Sequence, residues 1–212
     1  ALVARPGCKF LAIDYRQMEM RMFGILSKDP NMLASLQSGR DIHADNAQMV
    51  WGENDDIHRR WAKAVGFGLT YGMSANSLAL RLGVDRERAF DIADQFWAAF
   101  PRIRPWTKEL GRQCKKTGFV RYWSGRLWRE EDSRFVQKAA QAATSGGCGA
   151  LLSVAAMRCD NYLRENGCGH IISLVHDEIV FELQEDEHFD THAVALSQLM
   201  EVPDLFDIPF FT

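Results

Sequence analysis

Short, mostly apolar runs lie near the two ends of the chain. Residues 10–13 read Phe-Leu-Ala-Ile and are followed by Asp14. Near the C-terminus, residues 171–175 and 179–183 are separated only by His176, Asp177 and Glu178. Apolar runs of four or five residues are typical of buried strands, and a short polar link between two of them favours a hairpin. The pattern therefore predicts a strand ending at Asp14 and a hairpin with Asp177 at its turn.

The long central stretch has apolar positions at helical spacing. It predicts helices over 17–26, 42–50, 57–69, 86–99, 103–117 and 134–165, with a last helix at 188–201. Asp41 and either Asp55 or Asp56 are placed to cap helix N-termini. Further strands are predicted at 119–123, before a Ser124-Gly125 turn, and at 208–211. Strands near the ends and helices between them indicate an α+β fold, a sheet layer with a helical insertion.

Composition narrows the class of protein. Of the 212 residues, 47% are hydrophobic and 25% charged, which is typical of a globular chain and not of a disordered or fibrous one. No run approaches the roughly 20 apolar residues that a membrane helix needs, and no signal peptide is visible. The chain does not start with Met, so we expect a fragment. Its five cysteines form no C-x-x-C pair, which predicts reduced thiols in a cytosol-like compartment.

The net charge of -3 hides a local excess of positive charge. Residues 102–138 hold eleven Lys or Arg against four Asp or Glu, interleaved with Trp106, Phe119, Tyr122, Trp123 and Trp128. Cations and aromatic rings together suit a phosphate backbone and stacked bases. The alternative is a solvated helical face without a ligand.

Asp14 and Asp177 are the first candidates for chemistry, because each stands at the end of an apolar strand. Burying such a carboxylate is costly unless it is paired or binds a metal. Two of them side by side repel each other, and a divalent cation relieves that repulsion. Hard oxygen ligands suit Mg²⁺, with substrate phosphates completing its coordination. The alternative is that each aspartate only caps a turn.

A second candidate site follows the helix predicted at 57–69. Arg59, Lys63, Phe67 and Tyr71 are spaced by four residues, so the first three form one narrow stripe and Tyr71 lies at its edge. Two cations followed by two aromatics suit a nucleoside triphosphate, and the glycines among them, Gly66, Gly68 and Gly72, suit close approach of a ligand. The alternative is an amphipathic helix with a basic rim. His43 has no ligand partner at i+4 and is interpreted as a polar residue at a helix start.

Three segments together resemble family A DNA polymerases, a family of bacterial and phage enzymes. Residues 14–21, DYRQMEMR, resemble the first polymerase motif, DYSQIELR. Residues 59–72, RRWAKAVGFGLTYG, resemble RRxxKxxxFGxxYG, and residues 175–178 read VHDE as in the third motif. Their order and spacing also match, and the resemblance covers essentially the whole chain.

The resemblance implies part of a right-hand polymerase fold. Residues 1–28 and 126–212 would form a mainly antiparallel palm sheet, and residues 29–125 would form inserted helical fingers. The thumb and any exonuclease domain are expected outside this chain. The implied location is the cytoplasm of a bacterium or a phage-infected cell, with an organelle as the alternative.

The resemblance also implies roles for site residues. Asp14 and Asp177 would hold two Mg²⁺ ions, for which Mn²⁺ is a possible substitute, with the Tyr15 carbonyl as a further ligand and Glu178 as support. Lys63 would grip the triphosphate and protonate the leaving group. The other nucleotide-binding residues would be Gln17, Glu19, Arg59, Phe67 and Tyr71, with Glu19 blocking a ribose 2′-hydroxyl.

His176, Arg126 and Lys138 would contact DNA. There are departures from the family pattern, since Arg16 replaces a usual Ser and Gly66 a usual Asn. In the family, an Arg, an Asn and a Gln on the long helix before residue 156 read the minor groove. Lys138, Ala142 and Gly146 stand at those positions here, which puts minor-groove checking in doubt.

The implied function is template-directed DNA polymerisation on primer–template DNA with dNTPs, away from membranes and with no processivity partner indicated. Three alternatives stay open. A single-subunit RNA polymerase is disfavoured by Glu19, and a two-metal nuclease would not need the stripe of Arg59, Lys63 and Phe67. A catalytically inactive, polymerase-like DNA-binding module is left some room by Ala142 and Gly146 but would not need Asp14, Lys63 or Asp177.

Overall fold

The computed structural model describes residues 2–38, 41–129 and 138–206, and all statements on structure refer to these. Its strands are β1 (Cys8–Asp14), β2 (Phe119–Arg121), β3 (Leu127–Arg129), β4 (Gly169–Val175) and β5 (Glu178–Gln184). Its helices are α1 (Met18–Ser27), α2 (Pro30–Gln37), α3 (Ile42–Trp51), α4 (Asp56–Thr70), α5 (Ala75–Leu82), α6 (Arg86–Ala99), α7 (Ile103–Thr117), α8 (Ala139–Asn166) and α9 (Phe189–Met200). The predicted α+β class is confirmed.

The chain divides into two compact units. The sheet unit comprises Ala1–Glu19 and Cys148–Thr212, and the helical unit comprises Met20–Gly147. The order of sheet, helices and sheet along the chain is the predicted one. These boundaries differ from those placed at residues 28 and 125 by resemblance, so the names palm and fingers stay an interpretation.

The sheet unit is built on three antiparallel strands in the order β1-β5-β4. The central strand β5 buries Ile179, Phe181 and Leu183 completely, because alternate residues of a strand point to the same face. Strand β1 runs against β5 from Cys8 opposite Gln184 to Asp14 opposite Glu178. The first and last strands of the sequence are thereby placed side by side.

The helical unit packs around a main apolar core that includes Phe23, Phe96 and Ile103, with a smaller cluster around Val120 and Ala143. Buried Asp29 connects two of its helices. One carboxylate oxygen accepts the backbone N–H groups of Asn31 and Met32 at the start of α2, and the other accepts that of Arg102 just before α7. This side chain therefore satisfies three backbone donors that the helix starts leave open.

Most predicted elements are present with small changes at their ends. Asp41 caps α3 and Asp55, not Asp56, caps α4. The strand predicted at 119–123 ends at Arg121, and Gly146, Gly147 and Gly149 lie inside α8 without breaking it. The predicted start of that helix at 134 and the strand at 208–211 lie outside the described residues.

All five cysteines are free, as expected of reduced thiols. Among the described residues, no helix is both long and apolar enough to cross a membrane.

Candidate active site

The sheet unit brings Asp14, Asp177 and Glu178 together. Asp14 is the last residue of β1 and lies opposite Glu178, the first residue of β5. Asp177 precedes Glu178 in the two-residue turn between β4 and β5, and its carbonyl accepts the Tyr15 N–H at 3.1 Å. The predicted pairing of the two strand-end aspartates is therefore present, with Glu178 as their neighbour.

The charges at this edge of the sheet repel each other. Partial burial, the charge of Asp177, a hydrogen bond between the two carboxyl groups and the charge of Glu178 together raise the pKa of Asp14 above its usual value. Burial, followed by the charges of Glu19 and Asp177, also raises the pKa of Cys148. The edge is thus strongly anionic, and its oxygen donors suit a hard divalent cation.

Asp14 is exposed and Asp177 is half-buried. Asp14 is open to solvent because β1 ends at the edge of the sheet. The open position leaves room for substrate oxygens beside the carboxylates. Two carboxylates with further oxygen atoms from substrate and water are a usual way to bind Mg²⁺.

The remaining predicted residues of the sheet unit surround this edge. Tyr15 is buried and its hydroxyl donates to the Met200 carbonyl, so the side chain anchors the end of β1 while its main chain stays beside Asp177. His176 has a positive φ of 55° at the hairpin turn and is exposed, and Gln17 also has a φ of 55°. Glu19 is half-buried in the first turn of α1.

The helical unit carries the predicted stripe along α4. Arg59 and Lys63 are exposed, whereas Phe67 and Tyr71 are half-buried. Tyr71 is the C-cap of α4 and lies outside the helix, at the predicted edge of the stripe. The ring centroids of Phe67 and Tyr71 are 6.0 Å apart, and Tyr71 also lies 6.0 Å from the buried Phe23. The stripe therefore changes along its length from solvent-facing cations to a fixed aromatic pair.

Asp41 and His43 also belong to this surface, which the sequence analysis missed. Arg59 Nε donates to Asp41 Oδ2 at 2.5 Å, and the other oxygen of Asp41 accepts the His43 N–H at 2.8 Å. Burial would raise the pKa of Asp41, but the hydrogen bonds from Arg59 and His43 outweigh it and lower the pKa below its usual value. Asp41 thus holds Arg59 in place at the start of the stripe.

His43 is buried against the stripe. Its ring centroid lies 5.8 Å from that of Phe67, and its Nδ1 has no hydrogen-bond partner among the described residues. Burial lowers its pKa to about 4; Asp41 opposes this, and Lys63 and Arg59 add to it. The signal for its position was the i, i+2 spacing of Asp41 and His43 at a helix start. The interpretation of His43 as an ordinary polar residue there is incomplete.

Two of the glycines in the stripe have a different role from the expected one. A Cβ on Gly66 would lie 3.7 Å from Phe96 Cε2, and a Cβ on Gly68 would lie 2.9 Å from the sulfur of Met73. Both therefore face the core and do not open the helix to a ligand. A Cβ would fit at Gly66 in ordinary contact, whereas at Gly68 it would crowd the Met73 side chain. Gly72 has a positive φ of 86° and nothing within 4 Å of its Cβ position, so it remains accessible.

Arg126 and Lys138, the predicted DNA contacts, are both exposed in the helical unit. Arg126 lies in the β2–β3 hairpin, where its carbonyl accepts the Tyr122 N–H at 2.8 Å. Their side chains are accessible to a polyanion, as such a contact requires.

One group of three possible metal ligands converges in the described part of the chain: Glu53, Asp55 and His58. These side chains are already accounted for, because Asp55 caps α4 and accepts both the backbone and the ring nitrogen of His58 at 2.9 Å. Asp14, Asp177 and Glu178 do not form such a closed set. The open arrangement of these three acidic residues suits a metal site that substrate oxygens complete. The group at the start of α4 is a helix cap.

The fold places the protein in the class of nucleic-acid polymerase domains. It is similar to the solved structure of the POL domain of Pol1 from M. smegmatis, in complex with DNA primer-template and dNTP, with a TM-score of 0.89 and 25% sequence identity. The similarity covers 98% of this chain and 39% of that one.

The sequence gives the particular family. A family model for DNA polymerase family A matches residues 1–210, and the chain belongs to this family. It is 38% identical over 203 residues to DNA polymerase I of Chloroflexus aurantiacus and 36% identical over 200 residues to that of Pseudomonas aeruginosa, with 88% of this chain covered in both. It is 32% identical over 222 residues to the thermostable DNA polymerase I of Thermus filiformis, with 99% covered.

The chain spans 21%, 22% and 26% of the length of these three relatives. Family A DNA polymerases are metal-dependent, which agrees with the anionic edge of the sheet. The predicted membership in family A is confirmed.

Proposed function

We propose that this chain is the catalytic core of a template-directed DNA polymerase that adds dNTPs to a primer 3′-hydroxyl. The observation that carries the proposal is the placement of Asp14 at the end of β1, opposite Glu178 and beside Asp177 of the hairpin turn. Burial and then the charge of Asp177 raise the pKa of Asp14 there. Such an anionic pair at an exposed sheet edge can bind a divalent cation together with the phosphate groups of a substrate.

Asp14 and Asp177 would hold two divalent cations, which we propose to be Mg²⁺ with Mn²⁺ as a substitute, and the Tyr15 carbonyl would add an oxygen ligand. When bound, such cations stabilise negative charge on the attacking and leaving oxygens of an in-line phosphoryl transfer. Glu178 would support the two aspartates from the facing position on β5. Buried Tyr15 keeps the end of β1 in register with the hairpin turn.

The stripe on α4 would bind the incoming nucleotide. Arg59 and Lys63 offer exposed cations for the triphosphate, and a phosphate reaching Arg59 would compete with Asp41. Lys63 would also donate a proton to the leaving pyrophosphate. Phe67 and Tyr71 would pack on the sugar and near the template base, while Gln17 would contact the nucleotide and Glu19 would exclude a ribose 2′-hydroxyl.

Primer–template DNA is the proposed partner, because the similar solved structure contains it together with dNTP. His176 would meet the primer terminus, and Arg126 and Lys138 would meet the duplex. We propose the names palm for the sheet unit and fingers for the helical unit, and a cytoplasmic location as for a bacterial polymerase.

The decisive experiment compares Asp14→Asn and Asp177→Asn with Asp190→Asn, an exposed aspartate on α9 of the same unit. In the intact protein, the first two substitutions should abolish single-nucleotide extension and leave primer–template affinity within about twofold, because phosphate contacts made by cations dominate duplex affinity. Asp190→Asn should extend normally.

Near-normal extension by either of the first two variants would refute the proposed metal ligands. A wild-type protein that binds primer–template but extends nothing would instead support the inactive DNA-binding module, which the lack of side-chain donors at Ala142 and Gly146 favours.

A further inference from the structure

The β2–β3 hairpin of the helical unit is docked on two adjacent glycines of α8. A Cβ on Gly146 would lie 2.1 Å from Tyr122 Cζ and 2.5 Å from its hydroxyl oxygen, distances that no real side chain could keep. The Tyr122 ring therefore fills the volume that a side chain at position 146 would occupy. Beside it, a Cβ on Gly147 would lie 3.2 Å from Trp123 Cδ1.

Hydrogen bonds fix the hairpin in this position. Trp123 Nε1 donates to the Gly147 carbonyl at 3.0 Å, and the Tyr122 N–H donates to the Arg126 carbonyl at 2.8 Å. Gly125 completes the turn with a φ of 86° and donates its N–H to the Tyr122 carbonyl at 3.0 Å. The phenol ring is thus held against α8 at position 146.

The Tyr122 hydroxyl has no hydrogen-bond partner in the part of the chain that the structure describes. Its residue is half-buried, and the hydroxyl makes no hydrogen bond to the described residues. Burial raises the pKa of Tyr122, with Arg126 opposing, so the phenol keeps its proton at neutral pH. Ala142 and Gly146 carry no side-chain donor, and the Tyr122 hydroxyl lies against position 146.

The surroundings of this donor favour a polyanion. Residues 119–129 contain three arginines, Arg121, Arg126 and Arg129, and no acidic residue, and all three are exposed. The acidic residues 130–132 follow in the sequence and lie outside the described part of the chain. A neutral donor with exposed cations around it has the composition of a surface that contacts backbone phosphates and a groove atom.

We propose that the Tyr122 hydroxyl donates a hydrogen bond to a minor-groove acceptor of the primer–template duplex while the hairpin arginines contact phosphates. This inference rests on the proposed polymerase function. Every base pair presents acceptors in the minor groove, at purine N3 and pyrimidine O2. A fixed donor there accepts any correct pair and loses its bond when a mispair moves the acceptor away. Tyr122 is accordingly a specificity-determining residue for extension of a correctly paired primer.

The test uses the intact protein, single-turnover primer extension and the Tyr122→Phe variant, which keeps the ring and removes only the hydroxyl. Extension from natural primer ends should slow by about 2- to 10-fold, the loss expected for one hydrogen bond. Guanine is then replaced by 3-deazaguanine, which lacks the N3 acceptor, at one base pair after another. At one position the wild type should lose the same factor and Tyr122→Phe should lose nothing more.

The matched control is Tyr162→Phe, which removes the hydroxyl that contacts His192 Nδ1 at 2.8 Å elsewhere on α8 and should leave the scan unchanged. The inference is overturned if Tyr122→Phe extends primers at the wild-type rate. It is also overturned if, at every position, 3-deazaguanine slows Tyr122→Phe by the same factor as it slows the wild type. A loss seen only with Tyr122→Ala, accompanied by a lower melting temperature, also overturns it, because the ring and not the hydroxyl would then matter. Wild-type protein that extends no primer refutes the proposed polymerase function, independently of Tyr122.

Discussion

At the scale of single residues, the start of α4 shows how one salt bridge and one buried ring define a surface. Asp41 holds Arg59 and, through its other oxygen, the backbone of His43. Burial beside Lys63 and Arg59 then keeps His43 uncharged at neutral pH. The neutral ring can pack on Phe67 without placing a buried positive charge beside these two cations, which would be costly.

His43 predicts a pH dependence of stability. Its pKa is about 4 in the folded protein against 6.5 ordinarily, so folding disfavours its protonation. Its contribution to stability is complete above pH 6.5 and is lost as the pH falls toward 4, by about 2 kcal/mol at pH 5 and about 3 kcal/mol in full. His43→Asn should remove this loss between pH 7 and 5.

Denaturant unfolding monitored by tryptophan fluorescence at several pH values measures how the free energy of unfolding depends on pH. His188→Asn, a change at an exposed histidine, serves as control and should keep the wild-type slope. Asp41 does not interfere, because its lowered pKa moves its own effect to pH values below 4. Equal slopes for wild type and His43→Asn would contradict the assignment.

The substitution Gly146→Ala should change the stability of the protein in opposite directions in the wild type and in a Tyr122→Ala variant. Alanine is favoured over glycine inside a helix by about 1 kcal/mol, but its Cβ would overlap the Tyr122 ring. We expect Gly146→Ala to destabilise the wild type by about 1–2 kcal/mol, as overpacking does. In a Tyr122→Ala background it should stabilise by about 1 kcal/mol.

Thermal melts of the two single variants and the double variant measure this coupling. Gly149→Ala on the same helix has nothing within 4 Å of its Cβ position. It should therefore stabilise in both backgrounds. A destabilising Gly146→Ala in the Tyr122→Ala background would show that the ring is not the obstacle.

At the scale of secondary structure, aspartates define the helix starts. Asp29, Asp41, Asp55 and Asp85 each accept a backbone N–H in the first turn of the helix that follows. Of these, Asp29 alone is completely buried, and it also accepts the Arg102 N–H at 2.7 Å. Asp55 and Asp85 therefore have a local role, whereas Asp29 and Asp41 each also bind a residue outside the helix that they cap.

Asp29→Ala should consequently cost more than Asp85→Ala. Loss of an exposed cap costs about 1 kcal/mol, and leaving a buried N–H unsatisfied adds about 1–3 kcal/mol. We expect about 2–4 kcal/mol for Asp29→Ala, about 1 kcal/mol for Asp85→Ala, and an intermediate value for Asp29→Asn. Free energies of unfolding for the three variants decide it, and equal costs for the two alanine variants would show that the contact with Arg102 contributes nothing.

Much of this level of structure could be predicted from the sequence, because apolar spacing and capping residues act locally. The strand ending at Asp14, the hairpin at Asp177 and the caps at Asp41 and Asp55 are examples. Contacts between distant segments have no such local signal. Nothing near Tyr122 in the sequence indicates that its ring needs glycine at 146, and nothing near Gly66 indicates that it faces Phe96, so the surroundings of those glycines came only with the structure.

At the scale of the whole molecule, charge is unevenly distributed. The net charge is -3, although residues 102–138 hold a large excess of cations. An anionic sheet edge at Asp14 and Asp177 and a basic hairpin at Arg126 therefore occur in one chain. Binding to a polyanion must depend on local contacts, since the overall charge opposes approach.

Salt dependence of DNA binding measures such contacts. If Arg126 contacts a phosphate, Arg126→Gln in the intact protein should lower the slope of log Kd against log salt concentration by about 0.9. The affinity should fall by a similar factor for different DNA sequences. Arg88→Gln, at an exposed arginine of α6, should leave the slope unchanged. A slope unaffected by Arg126→Gln would remove Arg126 from the duplex contacts.

The strand order β1-β5-β4 has a consequence for biosynthesis. The neighbour of β1 in the sheet is Glu178–Gln184, so the strand that carries Asp14 leaves the ribosome long before its partner is translated. Contacts between segments so distant in sequence slow folding, whereas Met20–Gly147 can collapse earlier on its own internal contacts. We expect the nascent chain to acquire its paired aspartates last, so that a stalled or truncated product has a folded helical unit and no competence for chemistry.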